Sequence, residues 1–249
     1  MNLIEIFKRK IPSPTQVIEE AIRLKLVPPY DDIEYIKSSF SILVEELQID
    51  AYNLYLKAEE KEGMLAIREH LRGKVRSGAT DEEAIEEAAK MFKELDRFFL
   101  SLTQSRRPRA GKAFEVILKT LFKRLEYPFD EQQVINGKPD FLMPNRIYYD
   151  RNAMDCIIFT AKRTLRERWR QIVTEGTRGK GFYLATIDES ISKIQLHEMK
   201  AHRIYLVMPG DIKTRIPNYV DEDNVISYEE FFKYHLDPAV VRWRAKGII

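Results

Sequence analysis

Hydrophobic residues recur every three to four positions through the first 104 residues, which is the period of an amphipathic helix. Capping residues precede three of these apolar stripes, so helices are predicted to begin at Ser13-Pro14, Asp31-Asp32 and Thr80-Asp81. Three glycines are expected to interrupt the helices between these starts: Gly63, Gly73 and Gly78. The pattern therefore predicts an all-helical N-terminal region.

The pattern changes near residues 104–108, where a polar Gln-Ser-Arg-Arg-Pro stretch is predicted to separate two parts of the chain. A helix is predicted over 110–126, and short apolar runs then alternate with helical periods. The predicted strands are residues 132–135, 140–143, 156–161, 182–187, 203–208 and 224–227. The predicted helices among them are residues 164–176, 190–200, 228–235 and 238–245. Strands alternating with helices indicate an α/β core with a mixed sheet flanked by helices, so the predicted division is 1–104 and 105–249.

Charge is balanced over the whole chain but uneven along it. The 249 residues include 41 Lys and Arg against 39 Asp and Glu, which gives a formal net charge of +2. Residues 106–124 contain seven basic residues and one acidic residue, and residues 162–180 contain seven basic and two acidic residues. Such blocks suit a polyanionic partner such as nucleic acid, although a solvated helix face has the same composition.

Several classes of protein do not fit this sequence. Cys156 is the single cysteine and lies in an apolar run, so we expect a buried thiol in a cytoplasmic protein without an internal disulfide. The N-terminus does not resemble a secretory signal, and no apolar run approaches the roughly 18 residues of a membrane span, so no membrane association is expected. The four histidines lack zinc-ligand spacing. The glycine-rich residues 176–181 match neither a Walker A loop nor a dinucleotide turn, so no nucleotide cofactor is expected.

Three residues carry the candidate chemistry. Asp140 follows Pro139 at the start of a predicted strand, Lys162 ends the predicted strand 156–161, and Glu175 lies thirteen residues later on a predicted helix. If the two strands are adjacent, Asp140 and Lys162 meet at one edge of the sheet. Asp140 and Glu175 can then bind Mg²⁺, and a lysine beside them can position a water for attack on phosphorus.

This arrangement resembles the PD-(D/E)xK nucleases, with one departure from their common pattern. Thr160 stands two residues before Lys162, where the second acid of the motif is usual. The resemblance is to the EcoRII, SsoII and PspGI group of type II restriction endonucleases, in which that acid is supplied by the next helix, and above all to the PspGI-like single-module enzymes. Glu175 fits that role. The blocks that carry the resemblance are residues 111–115, 136–142, 161–172 and 205–209, within about residues 105–210.

The same resemblance assigns further residues. Glu115 resembles the additional acid of the group, as a second metal ligand, an orienting group or an ion-pair partner. Arg166, Glu167 and Arg168 carry the donors and acceptors that read guanine and cytosine, and the resemblance places them in the major groove at a CC/GG half-site. The residues predicted to contact the DNA backbone are Arg106, Arg107, Arg109, Lys112 and Arg170.

The resemblance implies a Mg²⁺-dependent type II restriction endonuclease that binds double-stranded DNA as a homodimer. It implies sites of the CCWGG, CCNGG or CCNNGG type, cut 5′ of the C run, with the central base or bases flipped out. A cognate DNA methyltransferase is expected in the same prokaryotic system. The helical region is expected to contribute DNA contacts, dimer support and a pocket for the flipped base. Its candidate stacking residues are Tyr30, Phe40, Tyr52 and Tyr55.

Two other functions fit part of the sequence. A structure-specific or repair nuclease with the same fold needs no Arg-Glu-Arg reader, so changing Glu167 would leave its site preference unaltered. A DNA-binding module that does not cleave is the third interpretation, and loss of cleavage but not of binding in Asp140→Ala would separate an enzyme from such a module. The intact set of Asp140, Lys162 and Glu175 favours an enzyme, because a pure binder gains nothing from acids placed beside phosphate.

Overall fold

The computed structural model describes residues 2–135, 138–165 and 181–249. The chain forms two compact units. The helical unit comprises Met1–Leu24 and Ile49–Ala113, and the sheet unit comprises Lys25–Gln48 and Phe114–Ile249. This division differs from the predicted boundary after residue 104, because residues 25–48 belong to the sheet unit and because residue 104 lies inside a continuous helix.

Long helices dominate the first half of the chain. They are α1 (Leu3–Lys10), α2 (Pro14–Lys25), α3 (Ile33–Ser38), α4 (Phe40–Arg72), α5 (Asp81–Lys90) and α6 (Phe92–Arg124). The predicted starts near residues 14, 33 and 81 are confirmed, with Asp32 and Thr80 as N-caps. A core of the helical unit forms around Phe7 and Phe98, whose rings meet edge to face at 5.4 Å.

Two predicted breaks are wrong. Gly63 lies inside α4, and residues 104–108 lie inside α6. A single interior glycine costs a helix only about 1 kcal/mol, which packing along 33 residues outweighs. Pro108 removes one backbone hydrogen bond, but Pro108 and Gln104 are both exposed, so water can satisfy the freed carbonyl. Gly73 and Gly78 do follow the end of α4 as predicted.

A mixed sheet organises the second half of the chain. Its strands, within the described ranges, are β1 (Asp130–Glu131), β2 (Phe141–Met143), β3 (Ile157–Ala161), β4 (Phe182–Ala185), β5 (Ile204–Met208) and β6 (Val225–Ser227). They lie in chain order, and β1, β2 and β3 pair antiparallel while β3 to β6 pair parallel. The predicted mixed α/β core is confirmed.

Helices cover both faces of this sheet, so strands β2 to β6 are buried almost throughout. The later helices are α7 (Arg146–Asn152), α8 (Lys193–Ala201), α9 (Gly210–Arg215), α10 (Tyr228–Phe231) and α11 (Asp237–Ala245). A 3₁₀ turn at Ala153–Asp155 follows α7, and a π turn at Phe232–Leu236 joins α10 to α11. Phe122 packs between Phe40 and the strand residues Phe141 and Phe159 on one face. Leu142, Ile158, Leu184 and Leu206 form the core on the other.

The first predicted strand is displaced. The chain pairs at Asp130–Glu131 rather than at 132–135, because Gln132 adopts a positive φ of 49° that turns the backbone away from extended pairing. The predicted helix 164–176 lies outside the described residues from position 166 onward. Helices α7 and α9 were not predicted, since each is too short to show a helical period. No helix among the described residues is long and apolar enough to cross a membrane.

Candidate active site at the ends of strands β2 and β3

The antiparallel pairing of β2 and β3 brings the candidate residues together. Phe141 at the start of β2 pairs with Phe159, near the end of β3. The residue before β2, Asp140, therefore lies beside the last residues of β3 and beside Lys162 that follows them. The predicted meeting of Asp140 and Lys162 at one edge of the sheet is what the structure shows.

Asp140 is a buried carboxylate held through one of its two oxygens. Its side chain is 9% exposed, and its Oδ2 atom accepts hydrogen bonds from the Thr160 hydroxyl and the Ala161 backbone N–H, both at 2.7 Å. The Lys162 ammonium lies 3.3 Å from the same oxygen. No described residue donates a hydrogen bond to Oδ1. These donors fix the orientation of the carboxylate while one oxygen remains able to bind a cation.

Thr160 gives the departure from the common acid-x-lysine pattern a structural role. The side chain is buried at 1% exposure, and its hydroxyl is a donor, where an acid at the same position would be an acceptor. The residue that replaces the second acid therefore supports the first one. The sequence showed the replacement but gave no sign of the hydrogen bond.

Lys162 is anchored through its backbone and extends its side chain toward Asp140. Its N–H donates to the Ala185 carbonyl at 2.9 Å, which continues the pairing of β3 with β4 by one residue. The side chain is 37% exposed, so the ammonium can reach both Asp140 and solvent. A cation in this position can bind a water or a phosphate oxygen next to the carboxylate.

Glu115 is connected to Asp140 through Gln132, a residue that the sequence did not single out. The Gln132 backbone N–H donates to the Asp140 carbonyl at 3.1 Å, and its side-chain amide donates to Glu115 Oε1 at 3.4 Å. Glu115 lies on the part of α6 that belongs to the sheet unit. Its predicted role as an additional acid of the site stays a prediction, and Gln132 is the link through which the two acids are joined.

Other predicted site residues lie outside the described part of the chain. These residues are Arg166, Glu167, Arg168, Arg170 and Glu175. A search of the described residues finds no group of three or more His, Cys, Asp or Glu side chains that could hold a metal. Asp140 fits a magnesium ligand by itself, because Mg²⁺ prefers carboxylate oxygen and commonly takes only one or two carboxylates from the protein.

The predicted backbone-contact residues Arg106 and Arg109 have partners within the helical unit. The Arg106 guanidinium forms a salt bridge with buried Glu59, and this hydrogen bond raises the pKa of Arg106. Arg109 lies over the Tyr55 ring at 4.9 Å and donates to the Pro12 carbonyl at 2.9 Å. The remaining predicted contacts on this helix, Arg107 and Lys112, are exposed.

The aromatic candidates for a flipped base divide by exposure. Phe40 and Tyr55 are buried, at 0% and 6% exposure, so both are core residues. Tyr30 and Tyr52 are exposed, at 50% and 47%. Cys156 is buried as predicted, and burial raises the pKa of its thiol to about 12. It is therefore not a nucleophile at neutral pH.

Comparison with known proteins agrees with this fold. The family described as EcoRII C terminal matches residues 69–232, which is more than half of the chain. The type II restriction enzyme SsoII of Shigella sonnei is 34% identical over 146 residues, covering 54% of this chain and 47% of that enzyme. The type II restriction enzyme EcoRII of Escherichia coli is 32% identical over 142 residues, covering 53% of this chain and 35% of that enzyme.

Two solved structures share the fold at low sequence identity. Metal-depleted Ecl18kI in complex with uncleaved DNA has a TM-score of 0.75 at 23% identity, covering 99% of this chain and 86% of that one. The complex of restriction endonuclease PspGI with substrate DNA has a TM-score of 0.66 at 20% identity, covering 96% of each chain. The aligned region spans about half of SsoII and about a third of EcoRII. The group predicted from the sequence is confirmed, and the chain belongs to the family described as EcoRII C terminal.

Proposed function

We propose that this protein is a Mg²⁺-dependent type II restriction endonuclease that cleaves double-stranded DNA. The observation that carries the proposal is the Asp140 carboxylate held beside Lys162 at the ends of β2 and β3, in a chain of this family. Both curated relatives are named type II restriction enzymes, and both structural neighbours were solved with DNA. The similarity to these proteins supports the proposed activity, and the arrangement of Asp140 and Lys162 supports the proposed mechanism.

Asp140 and Glu175 would hold the magnesium ion. When bound, Mg²⁺ acts as a Lewis acid at the scissile phosphate and lowers the pKa of a nearby water. Thr160 and Ala161 fix the Asp140 carboxylate through Oδ2, which leaves Oδ1 as the oxygen for the metal. Lys162 would orient the attacking water by hydrogen bonding and offset the negative charge that develops on the phosphate.

Glu115 on α6 and Gln132 after β1 would support this arrangement. Gln132 bonds to the Asp140 carbonyl and to the Glu115 carboxylate. Glu115 would thus act as an orienting acid or a second ligand, while Gln132 sets its distance from Asp140. Neither residue would transfer a proton.

Site recognition would come from Arg166, Glu167 and Arg168, which suit guanine and cytosine edges in the major groove. Each subunit of a homodimer would read a CC/GG half-site of a CCWGG, CCNGG or CCNNGG sequence and cut 5′ of the C run. Such an enzyme would require a cognate methyltransferase in the same prokaryotic cytoplasm, because unprotected host sites would be cut. Tyr30 and Tyr52 are the exposed candidates for stacking on a flipped base.

Backbone contacts would position the duplex. Exposed Arg107 and Lys112 are the best placed by exposure, with Arg170 near the reading triplet in sequence. Arg106 and Arg109 already serve contacts inside the helical unit, so their proposed phosphate contacts depend on the N–H donors that remain.

The testing experiment is digestion of plasmid and phage DNA with the purified protein, with Mg²⁺ or with excess chelator, followed by run-off sequencing of the ends. The proposal predicts discrete fragments with ends 5′ of one CC…GG sequence in Mg²⁺ and intact DNA in chelator. Cleavage without sequence preference would instead identify a structure-specific or repair nuclease. Site-specific binding without cleavage would identify a DNA-binding module.

A matched pair of variants tests the reading triplet. Glu167→Gln should reduce cleavage at the preferred site by about 10- to 100-fold, because each base-edge contact contributes about 1–3 kcal/mol of discrimination. Glu198→Gln, a change of the same chemistry on α8, should leave cleavage and site preference as in the parent. Unchanged site preference in Glu167→Gln would remove Glu167 from base recognition.

A further inference from the structure

Hydrogen bonds beyond the sheet fasten together the chain segments that follow β3 and β4. The pairing of the strands ends at Ala161 and Ala185. The Lys162 N–H then donates to the Ala185 carbonyl at 2.9 Å, and the Thr186 hydroxyl donates to the Arg163 carbonyl at 3.3 Å. The Leu165 N–H donates to Asp188 Oδ2 at 2.8 Å. Side chains of the segment after β4 therefore hold the segment after β3 at positions where the backbone pairing of the two strands has ended.

Asp188 is the most constrained member of this set. It is 8% exposed, and its carboxylate accepts from the Leu165 N–H on one oxygen and from the Ser190 N–H and hydroxyl on the other. Its own N–H donates to the Thr186 hydroxyl at 3.1 Å, and its carbonyl accepts from the Tyr219 hydroxyl at 2.6 Å. Both its backbone and its carboxylate are thus fixed.

A buried carboxylate is a costly acceptor for backbone N–H groups, since desolvation disfavours its charge. It is, however, a strong and directional acceptor, and charge-assisted bonds are about twice as strong as neutral ones. Leu165 is also held by its side chain, which is 1% exposed within the core shared with Ile191 and Tyr219. The chain is therefore fixed at Leu165 by its backbone and by its side chain together.

The position of Leu165 in the sequence shows why its hydrogen bond to Asp188 matters. Lys162 lies three residues before it, and Arg166, Glu167 and Arg168 follow it directly. We propose that Asp188 is a positioning residue that fixes the path of the chain between the lysine of the active site and the Arg-Glu-Arg triplet, and so couples site recognition to cleavage. This inference rests on the proposed restriction endonuclease function.

The test compares Asp188→Ala and Asp188→Asn with the parent and with Glu189→Ala. Glu189 is the neighbouring carboxylate, and it pairs with Arg215 at the surface. Single-turnover cleavage is measured with Mg²⁺ on a duplex carrying the site found by run-off sequencing and on duplexes with one C·G pair replaced. Binding to the same duplexes is measured in chelator. The quantity of interest is the ratio of cognate to altered-site values for cleavage and for binding.

Asp188→Ala should lower both ratios by about tenfold or more, because a displaced triplet loses the base-edge contacts that discriminate the cognate pair from a replaced one. Asp188→Asn should have a smaller effect, because its amide oxygen can still accept from Leu165 or from Ser190. Glu189→Ala should match the parent. Thermal midpoints are recorded for all variants. If Asp188→Ala does not fold, Thr186→Val replaces it, because this change removes the hydroxyl that bonds to Arg163 and Asp188.

A role that is merely structural would lower the thermal midpoint and leave both ratios at the parent value, and that result overturns the inference alone. A parent protein that neither cuts nor binds with sequence preference overturns the proposed function and this inference together. A parent that binds with preference but does not cut overturns the proposed function and, with it, the coupling of recognition to cleavage.

Discussion

Two buried acids, Asp140 in the sheet unit and Glu59 in the helical unit, are held in opposite ways. Both oxygens of Glu59 are engaged: the Arg106 guanidinium bonds to both, and the Tyr55 hydroxyl donates to Oε2 at 2.6 Å. Asp140 accepts all its described hydrogen bonds on Oδ2 alone. The exposure of the two side chains is similar, at 6% and 9%.

A structural acid and a reactive acid with similar burial can therefore be told apart by whether both carboxylate oxygens, or only one of them, accept hydrogen bonds. Glu59 is paired with a guanidinium, and hydrogen bonds engage both of its oxygens. Asp140 is oriented by a hydroxyl, a backbone N–H and a part-exposed lysine, and one oxygen remains for a cation. We expect loss of Glu59 or its partners to affect stability, and loss of Asp140 or its partners to affect cleavage.

The largest expected effect is that of Lys162→Ala. Removing the ammonium beside Asp140 should lower the single-turnover cleavage rate by about 10²- to 10⁴-fold, in the range for one group acting on a proton or on developing charge. The thermal midpoint should stay close to that of the parent, because the side chain is 37% exposed. Lys200→Ala, which alters a surface lysine paired with Asp223, is the control. Cleavage at parental rate in Lys162→Ala would remove the lysine from the mechanism.

Arg106→Ala should produce the complementary effect on stability. The change leaves buried Glu59 without its guanidinium partner. Loss of one partner of a buried ion pair costs about 3–5 kcal/mol. Because the Arg106 side chain is 39% exposed and solvent screens the pair, we expect the free energy of unfolding to fall by about 1–3 kcal/mol. Denaturant titration measures it, with Arg107→Ala, an exposed neighbour, expected to change stability by less than about 0.5 kcal/mol. Equal stability of the two variants would contradict the structural role of Glu59.

Thr160→Val should slow cleavage without unfolding the protein. Valine fills the same volume but cannot donate to Asp140 Oδ2. The loss of one such bond corresponds to about 1 kcal/mol, or about a fivefold lower cleavage rate. Thr160→Ser should restore most of the rate, and Thr214→Val, at a surface hydroxyl bonded within α9, should have none of this effect. A rate in Thr160→Val equal to that of the parent would show that the hydroxyl does not orient Asp140.

The smallest expected effect is on the pH dependence of stability, and it concerns a third acid, Glu45, which lies near Asp211. Burial and then the nearby Asp211 raise the pKa of Glu45 to about 7. A raised carboxyl pKa means that the folded state binds the proton more tightly, so stability falls as pH rises from about 4.5 through 7. Glu45→Gln should remove this dependence, so the stability of this variant relative to the parent should increase between pH 5 and pH 8.

Thermal midpoints of parent and Glu45→Gln across that pH range measure the effect. Glu46→Gln, at the neighbouring exposed acid, serves as the control. A difference between Glu45→Gln and the parent that does not change with pH would show that Glu45 is not the group that titrates.

The sequence predicted the sheet better than the helices. Strands β2 to β6 were predicted within about two residues, because each is a short apolar run bounded by turns. Strand β1 was misplaced, since two polar residues, Asp130 and Glu131, show no period. The breaks at Gly63 and Pro108 were wrong because packing along a long helix outweighs a local preference.

The candidate site was predicted in part for a similar reason. Asp140 and Lys162 could be placed together because strand pairing follows from the apolar runs that flank them. Gln132, Glu59 and Asp188 could not, because each is an ordinary polar residue whose importance depends on neighbours 17 to 47 residues away in sequence. Long-range hydrogen bonds of this kind leave no local pattern.

One experiment on Asp140→Asn and Glu59→Gln tests the distinction between the two acids. For each variant, the rate of plasmid cleavage in Mg²⁺ and the thermal midpoint of unfolding are measured. We expect Asp140→Asn to lose cleavage by about 10³-fold or more at the parental thermal midpoint, and Glu59→Gln to keep cleavage at a lowered thermal midpoint. Cleavage retained in Asp140→Asn, or lost in a fully stable Glu59→Gln, would contradict this distinction.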